Sequence, residues 1–178
     1  NAQHSSATSE HATPLVVVGA ALRTMGRIHR DPASCALANE VVEADAFYAL
    51  EDDGFNREWS GCVLLNPPGG LCDATGRVVL PKTSKRDGCK VTGACGLTPG
   101  HTHEGVTSSA RAWWFKLVRE VMSGRVPQAV FVGFSLELLQ SAQCDRPRGN
   151  WVEDVPLPTP LDFALCYPAK RLRFLSMA

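Results

Sequence analysis

The chain has 178 residues, 44% hydrophobic and 20% charged, with 18 Lys+Arg set against 18 Asp+Glu. That length buries one core, and no shift of composition marks a linker between two domains. Seven cysteines, an odd number, argue against a secreted disulfide scaffold. No stretch reads as a signal peptide, a transmembrane span or an internal repeat, so a cytoplasmic protein is expected.

Residues 1–12 are polar and rich in Ser, His and Ala and are expected to form a disordered tail, with 13–178 a single domain. Thr13-Pro14 opens an apolar, helix-like stretch that stops at Gly26. Arg27 to Ser34 reads as a short strand running into a turn, Ala36 to Val42 as a helix, and Ala44 to Tyr48 as a second short strand. The turn Glu51-Asp52-Asp53-Gly54-Phe55 and then Trp59 precede an apolar strand, Cys62-Val63-Leu64-Leu65, which runs into Asn66-Pro67-Pro68-Gly69-Gly70. Such an alternation, with acidic residues just beyond strand ends, predicts an α/β fold with an open, mainly parallel sheet and ligands at the carboxyl ends of its strands.

Leu71 to Gly105 is a loop too long to be only a connector. Ser108-Ser109 caps a helix whose Trp113, Trp114, Leu117, Val118 and Val121 recur at helical spacing, with Gly124 as its stop. Gln128 to Phe134 follows as a buried strand and Ser135 to Gln143 as a helix. Arg146 to Pro160 is a Pro-rich, exposed connection. Phe163 to Tyr167 and Arg171 to Leu175 are expected as two closing strands joined at Pro168-Ala169.

The Asn-Pro-Pro triplet carries the most chemistry. An aromatic amine is a poor nucleophile because its lone pair is delocalised into the ring. A side-chain amide oxygen and a backbone carbonyl that both accept from the NH2 group favour the pyramidal amine of the transition state. Asn66 would supply the first acceptor and Pro67 the second. Pro67 and Pro68 donate no NH and have a fixed φ, so they hold both acceptors in a rigid turn. The plainer alternative is a strand that ends in a Pro-Gly turn.

The order Thr13-Pro14, Asp31-Pro32-Ala33-Ser34, Ala38-Asn39 with Val41, Asp52-Asp53-Gly54-Phe55, Trp59-Ser60-Gly61 and Asn66-Pro67-Pro68 resembles the phage-type, Dam-like DNA N6-adenine methyltransferases. The likeness runs from about Thr13 to Gly70, with echoes at Ser108 to Gln140 and Arg171 to Phe174. It implies a single-domain, Rossmann-like methyltransferase sheet with helices on both faces, S-adenosylmethionine as methyl donor, and an extruded adenine in DNA as acceptor, in a bacterial host. Carried over by position, Asn66, Pro67 and Pro68 would be catalytic. Asp31, Pro32 and Ser34 would approach the donor's methionine end, Asp53 its adenosine, and Asp45 the ribose. Two departures stand out. The Gly-rich loop of larger methyltransferase families is missing after the first strand, and Gly69 replaces the aromatic residue that usually stacks on the extruded base. Trp113, Trp114 or Phe115 would then have to supply that platform.

In the long loop, Cys89, Cys95, His101 and His103, with five residues between successive members of the first three, could surround one tetrahedral zinc that staples a segment lacking its own core. The alternative is a flexible loop with reduced cysteines. Lys82, Lys85, Arg86 and Lys90 form a basic patch suited to DNA phosphates. Cys35, Cys62, Cys144 and Cys166 read as packing residues. His29 lies near Asp31, but no Ser or Cys elbow completes a triad and no phosphate-binding Gly-Lys-Ser/Thr loop is present, so hydrolase and NTPase readings drop out. Two rivals stay open: a catalytically inactive methyltransferase-fold protein that binds DNA or another protein, and an N4-cytosine methyltransferase, since the same amide geometry serves that amine.

Overall fold

Pro14, extended at φ −60° and ψ 140°, starts the first helix because its carbonyl accepts from the amides of Val17 and Val18. In a computed structural model, which describes residues 11–69, 71–72, 78–80, 107–133, 158, 160–169, 172 and 175–176, this helix, α1, spans Leu15–Met25. Gly26 ends it at φ 75°, a conformation open to glycine, and its amide closes on the Leu22 carbonyl. Although apolar nearly all round, α1 buries only Val18, Ala21 and Met25, spaced to fall on one face, and exposes Leu15 and Val16.

The chain divides into two compact units, one comprising Asn1–Asn66, Glu120–Val132 and Leu165–Ala178, the other Pro67–Arg119 and Gly133–Ala164. In the first, β1 (His11–Ala12) pairs antiparallel with β9 (Leu175–Ser176). Four strands, β2 (Arg30–Asp31), β3 (Ala46–Phe47), β4 (Val63–Leu65) and β8 (Ala129–Phe131), form an all-parallel sheet in the order β3-β2-β4-β8. The protein is therefore α/β with a parallel sheet. Helix α2 (Ala36–Val42) is the crossover from β2 to β3. Cys35 caps it, its sulfur accepting from the Ala38 amide at 3.5 Å. Glu43 closes it in the left-handed region at φ 53°. Asn39 then ties the exit by exchanging hydrogen bonds with both backbone groups of Ala44, at 3.1 and 3.2 Å.

The core of this unit joins Val18, Ala21 and Met25 of α1 and Val42 of α2 with Ile28, Ala44, Cys62, Leu64 and Val132. Both helices thus lie over the sheet face that Leu64 presents. Val63 and Leu65 point to the other face and are equally inaccessible, so β4 is buried on both sides, as a central parallel strand must be.

In the second unit, β5 (Leu71–Cys72) pairs antiparallel with both β6 (Val78–Leu80) and β7 (Thr107–Ser108). Helix α3, Ser109–Met122, begins here and delivers its last residues to the first unit. Trp113, Trp114, Phe115, Leu117 and Val118 are buried, and Trp114 meets Phe163 edge-on at 5.6 Å. Gly124, at φ 79°, follows its end.

Four expectations need correction. The segment expected as a loop from Leu71 opens instead with two paired strands, β5 and β6. Phe163 to Tyr167 alternates like a strand, but it is irregular and exposed throughout, following a 3₁₀ turn at Pro160–Asp162. The terminal strand does not fold back on it at Pro168-Ala169; it pairs instead with β1, at the other end of the chain. For the same reason His11–Ala12 is a strand and not part of a tail. The helix expected at 135–143, the loop residues 81–105 and most of the connection 146–160 lie outside the described residues.

Candidate functional site

The sheet order decides where a ligand can sit. From β2 the chain crosses to β3 on one side, and from β4 it continues to β8 on the other, so the connections part between β2 and β4. In open parallel sheets that point leaves a crevice at the carboxyl ends of the strands. Arg30 is level with Val63; the chain therefore leaves β2 as Asp31-Pro32-Ala33-Ser34 beside the place where it leaves β4 as Asn66. The triplet's prolines follow Asn66, and the boundary between the two units falls at the Asn66–Pro67 peptide. Pro67 is fully buried, Asn66 and Pro68 are half-buried, and Gly69 is exposed.

Asp31 is the most perturbed group here. It is 2% exposed, and burial pushes its carboxyl up to about 7, only partly offset by the Ala33 amide and the Ser34 side chain. The Ala33 amide reaches Oδ1 at 3.3 Å. The Ser34 hydroxyl oxygen is buried but falls outside hydrogen-bond geometry with the described groups, so its effect is weak. Among the described residues no cation is a cause acting on Asp31. Its neighbour Arg30 points to the opposite sheet face and stacks over the Tyr48 ring at 4.8 Å.

The loop is braced from two directions. The Tyr48 amide donates to the Asp31 carbonyl and the Ser34 amide to the Tyr48 carbonyl, both at 3.0 Å. Behind it, Gly54 packs against the Pro32 carbonyl, where a Cβ would stand 2.1 Å from the oxygen. Trp59, fully buried, donates its indole N–H to the Gly54 carbonyl at 2.7 Å. Gly61 makes a second close approach at φ 76°, its missing Cβ 2.8 Å from His29, whose Nδ1 accepts from the Cys62 amide at 3.0 Å. Asp-Asp-Gly and Trp-x-Gly therefore act as supports for the strand ends. Sequence reading missed that role, and the only trace of it was a glycine following two acidic residues.

Of the residues expected to hold a donor, Asp31, Pro32 and Ser34 stand together in the loop after β2. Asp53 is exposed at φ 53° beside Gly54 and accepts from Asn56 Nδ2 at 2.8 Å. Asp52 caps its own turn through the Ala49 amide at 2.8 Å. Asp45 requires correction. It precedes β3, its amide bonds the Ile28 carbonyl ahead of β2, and its carboxylate pairs with Arg27 at 2.8 Å. These contacts put it at the amino edge of the sheet, away from the strand ends that carry Asp31 and Asn66. The three aromatic candidates for a stacking platform, Trp113, Trp114 and Phe115, are 5, 8 and 6% exposed. Among the cysteines, Cys62 packs in the core as expected, Cys35 is a half-buried helix cap and Cys166 is exposed; Cys144 lies outside the described residues.

Cys89, Cys95, His101 and His103, and the basic residues Lys82, Lys85, Arg86 and Lys90, also lie outside the described residues. Within the described residues no group of three His, Cys, Asp or Glu is placed to hold a metal ion, and no helix is long and apolar enough to cross a membrane.

No protein-family model, curated protein or solved structure matches the chain.

Proposed function

We propose that the chain is an S-adenosylmethionine-dependent DNA methyltransferase of phage or prophage type that modifies N6 of adenine, built on a Rossmann-like sheet. The supporting observation is the arrival of two chain segments at one switch point: Asp31 to Ser34 from β2, and Asn66 from β4.

The residues present fit the donor. Asp31 is a buried carboxyl with no cation among the described residues acting on it, which suits the ammonium of the methionine end. Asp53 is an exposed carboxylate beside that loop, which suits hydroxyls of the adenosine. When bound, the donor supplies an electrophilic methyl group on sulfur. The Asn66 amide oxygen and the Pro67 carbonyl accept from the amine of an extruded base and localise its lone pair. Pro67 and Pro68 keep those acceptors from turning away. Transfer by direct displacement needs no nucleophile from the protein. In this reading the segment 71–105 reads DNA through Lys82, Lys85, Arg86 and Lys90, with Cys89, Cys95, His101 and His103 holding a zinc staple.

A second reading, a non-catalytic binding protein on the same fold, is favoured by one observation: Gly69 offers no ring, and Trp113, Trp114 and Phe115 are buried. Incubation with labelled S-adenosylmethionine and unmethylated DNA, followed by nucleoside mass spectrometry, tests both. N6-methyladenine supports the enzyme, and N4-methylcytosine corrects its acceptor. Donor binding without a methylated base moves the reading to another acceptor, and absence of donor binding in calorimetry leaves the binding protein.

A further inference from the structure

We propose that Gly54 and Trp59 are positioning residues, a latch that holds the Asp31 to Ser34 loop in its ligand-binding shape. The inference deepens the functional reading and rests on it in treating that loop as the donor site.

The loop follows a two-residue strand and precedes a seven-residue helix, so regular structure alone holds it weakly. What fixes it is a closed circuit of contacts. Asp31 and Ser34 exchange backbone hydrogen bonds with Tyr48. The Tyr48 hydroxyl donates to the Glu58 carbonyl at 3.3 Å. The next residue, Trp59, donates to the Gly54 carbonyl, and Gly54 lies directly on the Pro32 carbonyl. The last contact requires glycine, because a Cβ at position 54 would also stand 2.8 Å from the Tyr48 Cβ. Asp53 turns the chain into place at φ 53° and ψ 56°. Every link joins backbone to backbone or a side chain to a backbone carbonyl, so the circuit sets the path of the main chain, and the path of the main chain sets how deeply the Asp31 carboxyl is buried. Arg27, His29 and Arg30 precede Asp31 in the chain, and Asp52 and Asp53 lie in the turn before Gly54; among the described residues none of these is a cause acting on Asp31.

A role confined to general stability would not change the protonation of Asp31 in the folded protein, whereas a latch would. The test is the titration of the Asp31 carboxyl by carbon NMR in the full chain, assigned with Asp31→Asn, in wild type and in Trp59→Phe, which keeps a ring and removes the N–H. Gly54→Ala is the second variant. Donor calorimetry and urea unfolding accompany both. With the latch weakened, water reaches the carboxyl. Its midpoint then falls from about 7 toward 3.8 by about one pH unit or more, unfolding stays cooperative, and donor affinity drops about tenfold, the scale of one lost buried hydrogen bond. A midpoint unmoved in Trp59→Phe overturns the latch, and this variant decides alone if Gly54→Ala fails to fold. If wild type binds no donor, the functional reading falls, and the titration, which needs no ligand, still decides the latch.

Discussion

Replacing Asp31 by asparagine should stabilise the protein at neutral and alkaline pH. The folded carboxyl is raised from 3.8 to about 7 by burial, so between those values the native state keeps a proton that the unfolded chain has released. Stability therefore declines as pH rises across that window and levels off above it. A displacement of that size corresponds to about 4 kcal/mol. The introduced amide cannot ionise, yet it retains an oxygen for the Ala33 amide that now reaches Asp31 Oδ1. Urea unfolding of wild type and Asp31→Asn should give similar stabilities near pH 4, diverging to about 4 kcal/mol in favour of the variant near pH 8. An equal difference at both pH values would refute the reasoning, because it would mean that Asp31 is hydrated in the native state. A cationic ligand reverses the penalty. Donor binding near pH 6 should release close to one proton, seen as a dependence of calorimetric heat on buffer ionisation enthalpy.

Asn66→Ala should abolish methyl transfer while donor affinity stays within about threefold of wild type; a variant that turns over normally would remove the amide from the mechanism. Asp45→Ala should leave donor affinity unchanged, since its carboxylate pairs with Arg27 at the opposite sheet edge, and should cost at most about 1 kcal/mol of stability as a largely exposed pair. Calorimetry of this variant gives a direct check on the corrected assignment. Gly61→Ala should lose about 2 kcal/mol or more, because it combines φ 76° with a Cβ driven to 2.8 Å from His29. A loss below about 0.5 kcal/mol in urea would show that His29 moves freely.

Local signals were legible in the chain and pairing was not. Gly26 and Gly124 stop their helices because each adopts a positive φ, and Ala36 to Val42 is helical over the span its sequence indicated. Strand type was legible where burial on both faces demands an unbroken apolar run, as at Val63 to Leu65. Alternation at Phe163 to Tyr167 misled because a strand exists only with a neighbour, and the neighbour available to the chain's end was His11–Ala12. Placement of the acidic residues failed in the same way. Asp31 and Asp45 both belong to the ends of short strands, but one closes its strand and the other precedes it, which in a parallel sheet sends them to opposite edges. The raised carboxyl of Asp31 could not be read from sequence, since it depends on burial in the folded chain.

Strand β4 has a consequence for amide hydrogen exchange. Val63, Leu64 and Leu65 have no accessible surface and lie between two parallel neighbours, so their amides should exchange only through global opening, on the slowest timescale in the molecule. Pro67 and Pro68 have no amide proton at all. An exchange profile would thus run from its best-protected residues to a two-residue blank within a few positions, and Asn66 stands at that step. The side chain proposed for the chemistry would thereby stand next to the part of the backbone expected to open last.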